Sequence, residues 1–116
     1  MKKLSVVATI IAFLCVTSCT TQKPLYTWDK YYLTSYNYLK NSNEKSAEAL
    51  IKTYENIINK QKGSRQTVPP GIYADYGMVL LQTNRVEEGK KMLQMEIALY
   101  PESAIFIGRI LKMIEE

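Results

Sequence analysis

The stretch that decides the fold is VPPGIYADYGMVLLQTNRVEEGKKMLQMEIALYP, residues 68–101. It opens on Pro69 and Pro70, which cannot lie in a helix interior but suit a helix entrance, and it closes on Pro101, before which a helix must stop. Between these limits apolar residues recur at three and four: Tyr73, Tyr76 and Leu80 on one stripe, then Val86, Gly89, Leu93, Ile97 and Tyr100 on another. With no sustained alternation of period two, this spacing predicts a helix over 71–83 and a second over 86–100. Asn84, with Glu87 three residues later, has the form of a capping box opening the second.

The same periodicity extends in both directions. A helix over 28–41 carries Trp28, Tyr31, Tyr32, Ser35, Tyr38 and Leu39. Another over 44–60 follows the turn-prone Asn41-Ser42-Asn43 and carries Ala47, Leu50, Tyr54, Ile57 and Ile58 on one face. A polar connector then leads to the prolines. Beyond Pro101, Glu102 and Ser103 start a fifth helix with Ile105, Phe106, Ile107, Ile110, Leu111 and Ile114, too apolar to be left in water. The expected fold class is all-α, an antiparallel helix-hairpin stack of about five helices. Its third and fourth helices resemble one tetratricopeptide repeat, a helix pair of about 34 residues. Counting Pro101 as the terminal proline puts Tyr73 at the first aromatic position and Gly77 and Gly89 at the small positions where the helices cross. Leu80 and Leu93 take large positions, and Glu96 stands where the repeat wants alanine. The fifth helix would be the cap that such stacks need.

The amino end sets the address. Met1-Lys2-Lys3 precedes an apolar run from Leu4 to Val16, too short for the roughly 20 residues of a spanning helix. This is the pattern of a signal peptide. It ends in Val16-Thr17-Ser18-Cys19, which resembles the bacterial lipobox: a branched aliphatic, two small residues and the cysteine whose thiol takes a diacylglyceryl group before cleavage. Residues 1–18 are thus expected to be removed, 19–25 to form a lipidated tether, and 26–116 to form one helical domain. Two or three acyl chains make such an anchor effectively permanent. Cys15 leaves with the signal and Cys19 is consumed by lipid, so no disulfide is expected. Thr20 stands where the inner-membrane retention signal of enteric bacteria would place aspartate, which favours an outer-membrane address with the head facing the periplasm.

Composition narrows the chemistry. The chain has no histidine, which removes Ser-His and Cys-His nucleophile pairs and the usual zinc, copper and haem ligand sets; no cofactor or metal is expected. The 15 Lys and Arg against 11 Asp and Glu shrink to a near balance once Lys2 and Lys3 leave with the signal. No basic stripe tracks a phosphate backbone, and no nucleic-acid partner is expected. The nearest approach is Lys60-Gln61-Lys62-Gly63-Ser64-Arg65, read as a solvated loop in preference to a headgroup contact.

The segment from Val68 to Gly77, with Glu96 and Leu99-Tyr100-Pro101-Glu102-Ser103-Ala104-Ile105-Phe106, is similar to a domain-of-unknown-function family of small bacterial lipoproteins with one tetratricopeptide-like unit. The resemblance runs from Leu25-Tyr26-Thr27-Trp28 to the end of the chain. In that family the residue after the tryptophan is usually glycine, and here it is Asp29. The genes often lie beside those for a lipoprotein resembling the curli-secretion pore, so the resemblance implies a shared envelope assembly. The leading expectation is a lipid-anchored binding or scaffold module, with Trp28, Tyr31, Tyr73, Tyr76, Gly77, Gly89, Glu96, Tyr100, Pro101 and Phe106 as structural or partner-binding residues and none catalytic. Alternatives are a lipid- or ligand-handling lipoprotein lined by tyrosines and, less favoured, a wall hydrolase using Glu96 and Glu102. Glu96, on the side of its helix that carries Leu93, Ile97 and Tyr100, should be at least partly buried and needs partners. The expected donors are the amides around Ser103 and Ala104, ahead of Arg109 or a tyrosine hydroxyl.

Cys19→Ser is expected to leave an unprocessed precursor that takes up no labelled palmitate. Normal labelling of that variant would overturn the anchoring and the address that follows from it.

Overall fold

Helix ends, set by a few capping residues, give the chain its architecture. The computed structural model describes residues 1–16 and 20–116, with side chains for 1–13 and 20–116. The expected lipidation residue, Cys19, lies outside the described residues. Within them all regular structure is helical: α1 (Lys2–Val16), α2 (Tyr31–Asn41), α3 (Glu44–Asn59), α4 (Ile72–Gln82), α5 (Val86–Leu99), a 3-10 turn (Pro101–Ser103) and α6 (Ala104–Glu115). No helix among them is long and apolar enough to cross a membrane. The described side chains of α1 are exposed.

The expected helices are present, with shifted ends. Trp28 lies outside α2, because Asp29 adopts φ +47°, the left-handed region that glycine favours, and the helix begins only at Tyr31. The glycine that the resemblance implies at this position would adopt this turn without strain. Asn43 and Ser46 form a reciprocal capping box at the start of α3. The capping box expected at Asn84 is absent: Asn84 has φ +63° and ends α4 rather than opening α5. Its N–H bonds to Leu81 O at 3.2 Å and the Arg85 N–H to Leu80 O at 2.9 Å, the paired bonds of a Schellman motif. Asparagine serves either end of a helix, and in so tight a turn the carbonyls left over from α4 claim it.

α2 and α3 form one antiparallel hairpin, α4 and α5 a second, and α6 packs on α5. The core is built from Leu50, Ile51, Tyr54 and Ile57 of α3, Val68 of the connector and Ile72, Tyr73, Tyr76, Val79 and Leu80 of α4. Leu93 of α5 and Ile107 of α6 are also fully buried. The two helices of the second hairpin cross on Gly77 and Gly89. A Cβ at Gly77 would stand 2.9 Å from the Gly89 carbonyl oxygen, and one at Gly89 would stand 2.9 Å from that of Gly77. Each helix presses its backbone on the other.

The connector is held by the chain's own leading segment. Ser64 N–H donates to Pro24 O at 2.9 Å and Arg65 N–H to Leu25 O at 3.1 Å. The Gln61 amide spans the Thr27 backbone, accepting from its N–H at 3.0 Å and donating to its carbonyl at 2.8 Å. This close approach requires glycine at 63, where a Cβ would stand 2.5 Å from Tyr26 Cα and closer still to the Leu25 carbonyl oxygen.

Gly89→Leu should unfold the head or nearly so, because its Cβ would meet the Gly77 carbonyl oxygen at 2.9 Å, backbone that cannot yield, and the cost then exceeds the roughly 1–3 kcal/mol of ordinary overpacking and approaches the whole margin of about 5–10 kcal/mol. Gly63→Ala should act locally, releasing residues 24–27. Hydrogen exchange checks both: the second variant should speed exchange at Ser64 and Arg65 while amides of α4 and α5 stay protected.

Candidate functional site

A buried carboxylate organises the open end of the second hairpin. The amino end of α4 has no side-chain cap, since its N-cap is Gly71 at φ +91°. Glu96, near the end of antiparallel α5, supplies what is missing. It is 3% exposed, and its Oε1 accepts from Gly71 N–H at 2.7 Å and its Oε2 from Ala74 N–H at 3.3 Å. The negative charge meets the positive end of the α4 dipole and is held by backbone donors without a cationic partner. One turn on, the Tyr100 hydroxyl donates to Val68 O at 2.5 Å, so the strand of chain entering α4 and the one leaving α5 are fastened twice. Glu96 is thus buried as expected, but the amides it caps belong to α4 and not to the fifth helix. The reason is geometric: in an antiparallel hairpin the end of one helix lies beside the start of the other.

A second line of polar and aromatic contacts joins the two hairpins. The Tyr31 hydroxyl donates to Asp75 Oδ2 at 2.6 Å and the Tyr38 hydroxyl to Gln82 Oε1 at 2.8 Å, each across 44 residues. Equal offsets at two points seven residues apart mean that α2 and α4 run parallel in one register. Ring contacts run Tyr26–Trp28–Tyr31–Tyr54–Tyr76, ending in a stacked pair with centroids 5.3 Å apart. Burial, with a hydrogen bond to Asp75, pushes the Tyr31 phenol up to about 12. Burial and Asp75 raise that of Tyr54, burial and Glu96 that of Tyr73, and burial and Glu55 that of Tyr76. All four stay neutral at physiological pH and serve in packing, and the Tyr31 and Tyr76 hydroxyls also donate hydrogen bonds, to Asp75 and Glu55.

Two shallow grooves flank this frame. One of about 250 Å³ lies between α2 and α4 above Tyr54 and Val79. The other lies between α3 and α5, where cavities of about 350 Å³ and 220 Å³ share Ile58, Tyr73 and Met95. Among the described residues no group of three or more His, Cys, Asp or Glu is placed to hold a metal.

Of the residues singled out from the sequence, Tyr73, Tyr76, Gly77, Gly89 and Glu96 are buried, and Trp28, Tyr31 and Tyr100 are half-buried. Pro101 is exposed and starts the 3-10 turn. The helix expected to be too apolar to be left in water leaves Phe106 68% exposed, with Ile105 and Met113 in the open as well, so of its two expected roles Phe106 is placed for partner binding and not for core packing. α6 packs on α5 with Ile107 fully buried and Ile110, Leu111 and Ile114 half-buried, and among the described residues no further hairpin lies against its outer side. The sequence reading also missed the outer stripe of α2, where Tyr32, Leu33, Tyr36 and Leu39 are exposed while Tyr31 and Tyr38 face α4. The signal was available in apolar residues on two faces of one helix, against the single face a surface helix needs.

A family described as a domain of unknown function (DUF4810) matches residues 25–110. No curated protein and no solved structure matches the chain.

Glu96→Gln keeps one acceptor and should cost about 1–2 kcal/mol, while Glu96→Ala leaves buried N–H groups unpaired and should cost about 3 kcal/mol. Chemical denaturation of both variants checks the order, and equal stability of the Ala variant and the parent would remove the capping role.

Proposed function

Since the chain belongs to the family of a domain of unknown function (DUF4810) over residues 25–110, we propose that it is a lipid-anchored helical scaffold of a bacterial envelope lipoprotein complex. The observation that carries this reading is the pair of apolar faces on the first and last helices of the stack, Tyr32, Leu33, Tyr36 and Leu39 on α2 and Ile105, Phe106 and Met113 on α6. Terminal helices of a stack stay soluble alone when their outer side is polar. Here both carry large exposed apolar side chains, the mark of surfaces covered by another protein. The lipobox at Cys19 supplies the anchor, and Thr20 after it favours the outer membrane, with the head on the periplasmic side. The partner we assign is a lipoprotein resembling the curli-secretion pore. The role is non-catalytic, and Glu96, the buried acid that a hydrolase reading would need, has both oxygens engaged by backbone amides.

A tagged protein extracted from envelopes should bring down that pore-like lipoprotein. Phe106→Asp and Tyr36→Asp, each on an exposed face, should leave helical circular dichroism intact and weaken capture by about 2 kcal/mol or more, as for an interface anchor. Undiminished capture by both variants would remove these faces from the interface.

A further inference from the structure

The charge of the head is unevenly placed, and the structure brings the excess to one spot. The leading segment and the connector carry Lys23, Lys30, Lys60, Lys62 and Arg65 against one carboxylate, Asp29, while the rest of the head has more acids than bases. These five cations are separated by up to 42 positions in sequence, yet the bonds from Ser64 and Arg65 to Pro24 and Leu25, and from Lys62 N–H to Thr27 Oγ1 at 2.9 Å, hold the two segments side by side. All five side chains are exposed. Among the described residues the ion pairs are Arg85–Glu88 and Lys90–Glu87, so none of the five is ion-paired, and Asp29, which lines a cavity with Lys60 and Lys62, is the one carboxylate of these segments.

The lipid anchor leaves the chain at this same spot. Only Thr20 to Lys23 separate Cys19 from Pro24, the first residue hydrogen-bonded to the connector. A fully extended chain of that length reaches about 17 Å. The cationic end is therefore kept close to the bilayer, within one to two screening lengths of its surface.

We infer that Lys23, Lys60, Lys62 and Arg65 form a second membrane contact, seated on the headgroups of anionic phospholipids. This rests on the anchored reading above. Each cation near such a surface strengthens attachment roughly fivefold. Because the lipid already holds the protein, the effect is on orientation: the ends of α2 and α4 near the connector face the bilayer, and the turns at Ser42 and Asn84 point away from it. The exposed faces of α2 and α6 then look sideways, toward a neighbour anchored in the same leaflet.

The test uses mature lipidated protein on vesicles of phosphatidylcholine alone or mixed with phosphatidylglycerol, treated with a water-soluble amine-acylating reagent and read by mass spectrometry. Flotation of the protein with both kinds of vesicle reports the anchor separately. On vesicles containing phosphatidylglycerol, Lys60 and Lys62 should react several-fold more slowly than on phosphatidylcholine, with the exposed Lys40 and Lys45 beside the Ser42 turn unchanged. Added salt should abolish the difference. A variant with Lys23→Glu, Lys60→Glu, Lys62→Glu and Arg65→Glu should still float and still fold, since Lys62 and Arg65 enter the connector bonds only through their backbone N–H groups, but its Lys30 should react equally on both vesicles. Equal reactivity of Lys60 and Lys62 on the two kinds of vesicle overturns the contact while leaving the anchor standing. Protection seen only in native envelopes assigns the face to an acidic protein and overturns it too. Failure to float overturns the anchor and this inference with it.

Discussion

The fold depends on a carboxylate placed where a helix has no cap of its own. Glu96 sits in the core of a small domain, and burying an anion is costly unless its lone pairs and its charge are both answered. The amino end of α4 answers them, through the N–H groups of Gly71 and Ala74 and the positive end of the helix. The need is mutual. The two prolines and the left-handed Gly71 that start α4 bring no capping side chain, so without Glu96 those donors would stay unpaired. Because the acid lies on α5 and the donors on α4, satisfying one fixes the register of the hairpin.

From that register the glycine crossing follows. Gly77 and Gly89 meet backbone to backbone, which draws α4 and α5 close enough for Leu81 and Leu93 to close over the contact. The first hairpin then docks through α3 and α4, with Tyr54 stacked on Tyr76, and is aligned by the hydroxyls of Tyr31 and Tyr38. The spacing of those two bonds is 44 residues, against about 34 for a tetratricopeptide pair. The difference lies in the connector, which turns aside to receive residues 24–27 before entering α4. An insertion that would be a loose loop in a regular repeat is here the clamp on the leading segment.

Surface chemistry divides along the same lines. The core and the seam between the hairpins are satisfied internally, and no buried side-chain polar atom among the described residues lacks a hydrogen bond. What remains outward is apolar on the two end helices and basic at the connector. A scaffold that is complete inside and uncovered at its ends is in keeping with the role proposed above.

The amino-acid sequence by itself determined the helices, the crossing at Gly77 and Gly89, the burial of Glu96 and the family. Each of these is written in local spacing: periodicity of three and four, small residues at fixed offsets, prolines as limits. The tertiary structure alone decided which amides Glu96 caps, because a side chain's spacing tells which way it faces but not which helix end lies opposite. It assigned Asn84 to the end of α4, since the same residue type suits either role and the carbonyls nearby choose. It left Phe106 in the open, since whether an apolar face is covered depends on the presence of another helix beyond it. It also brought Pro24 beside Ser64 and Thr27 beside Lys62, because Gly63 lets two segments distant in sequence touch through their backbones, and backbone contacts leave no periodic trace.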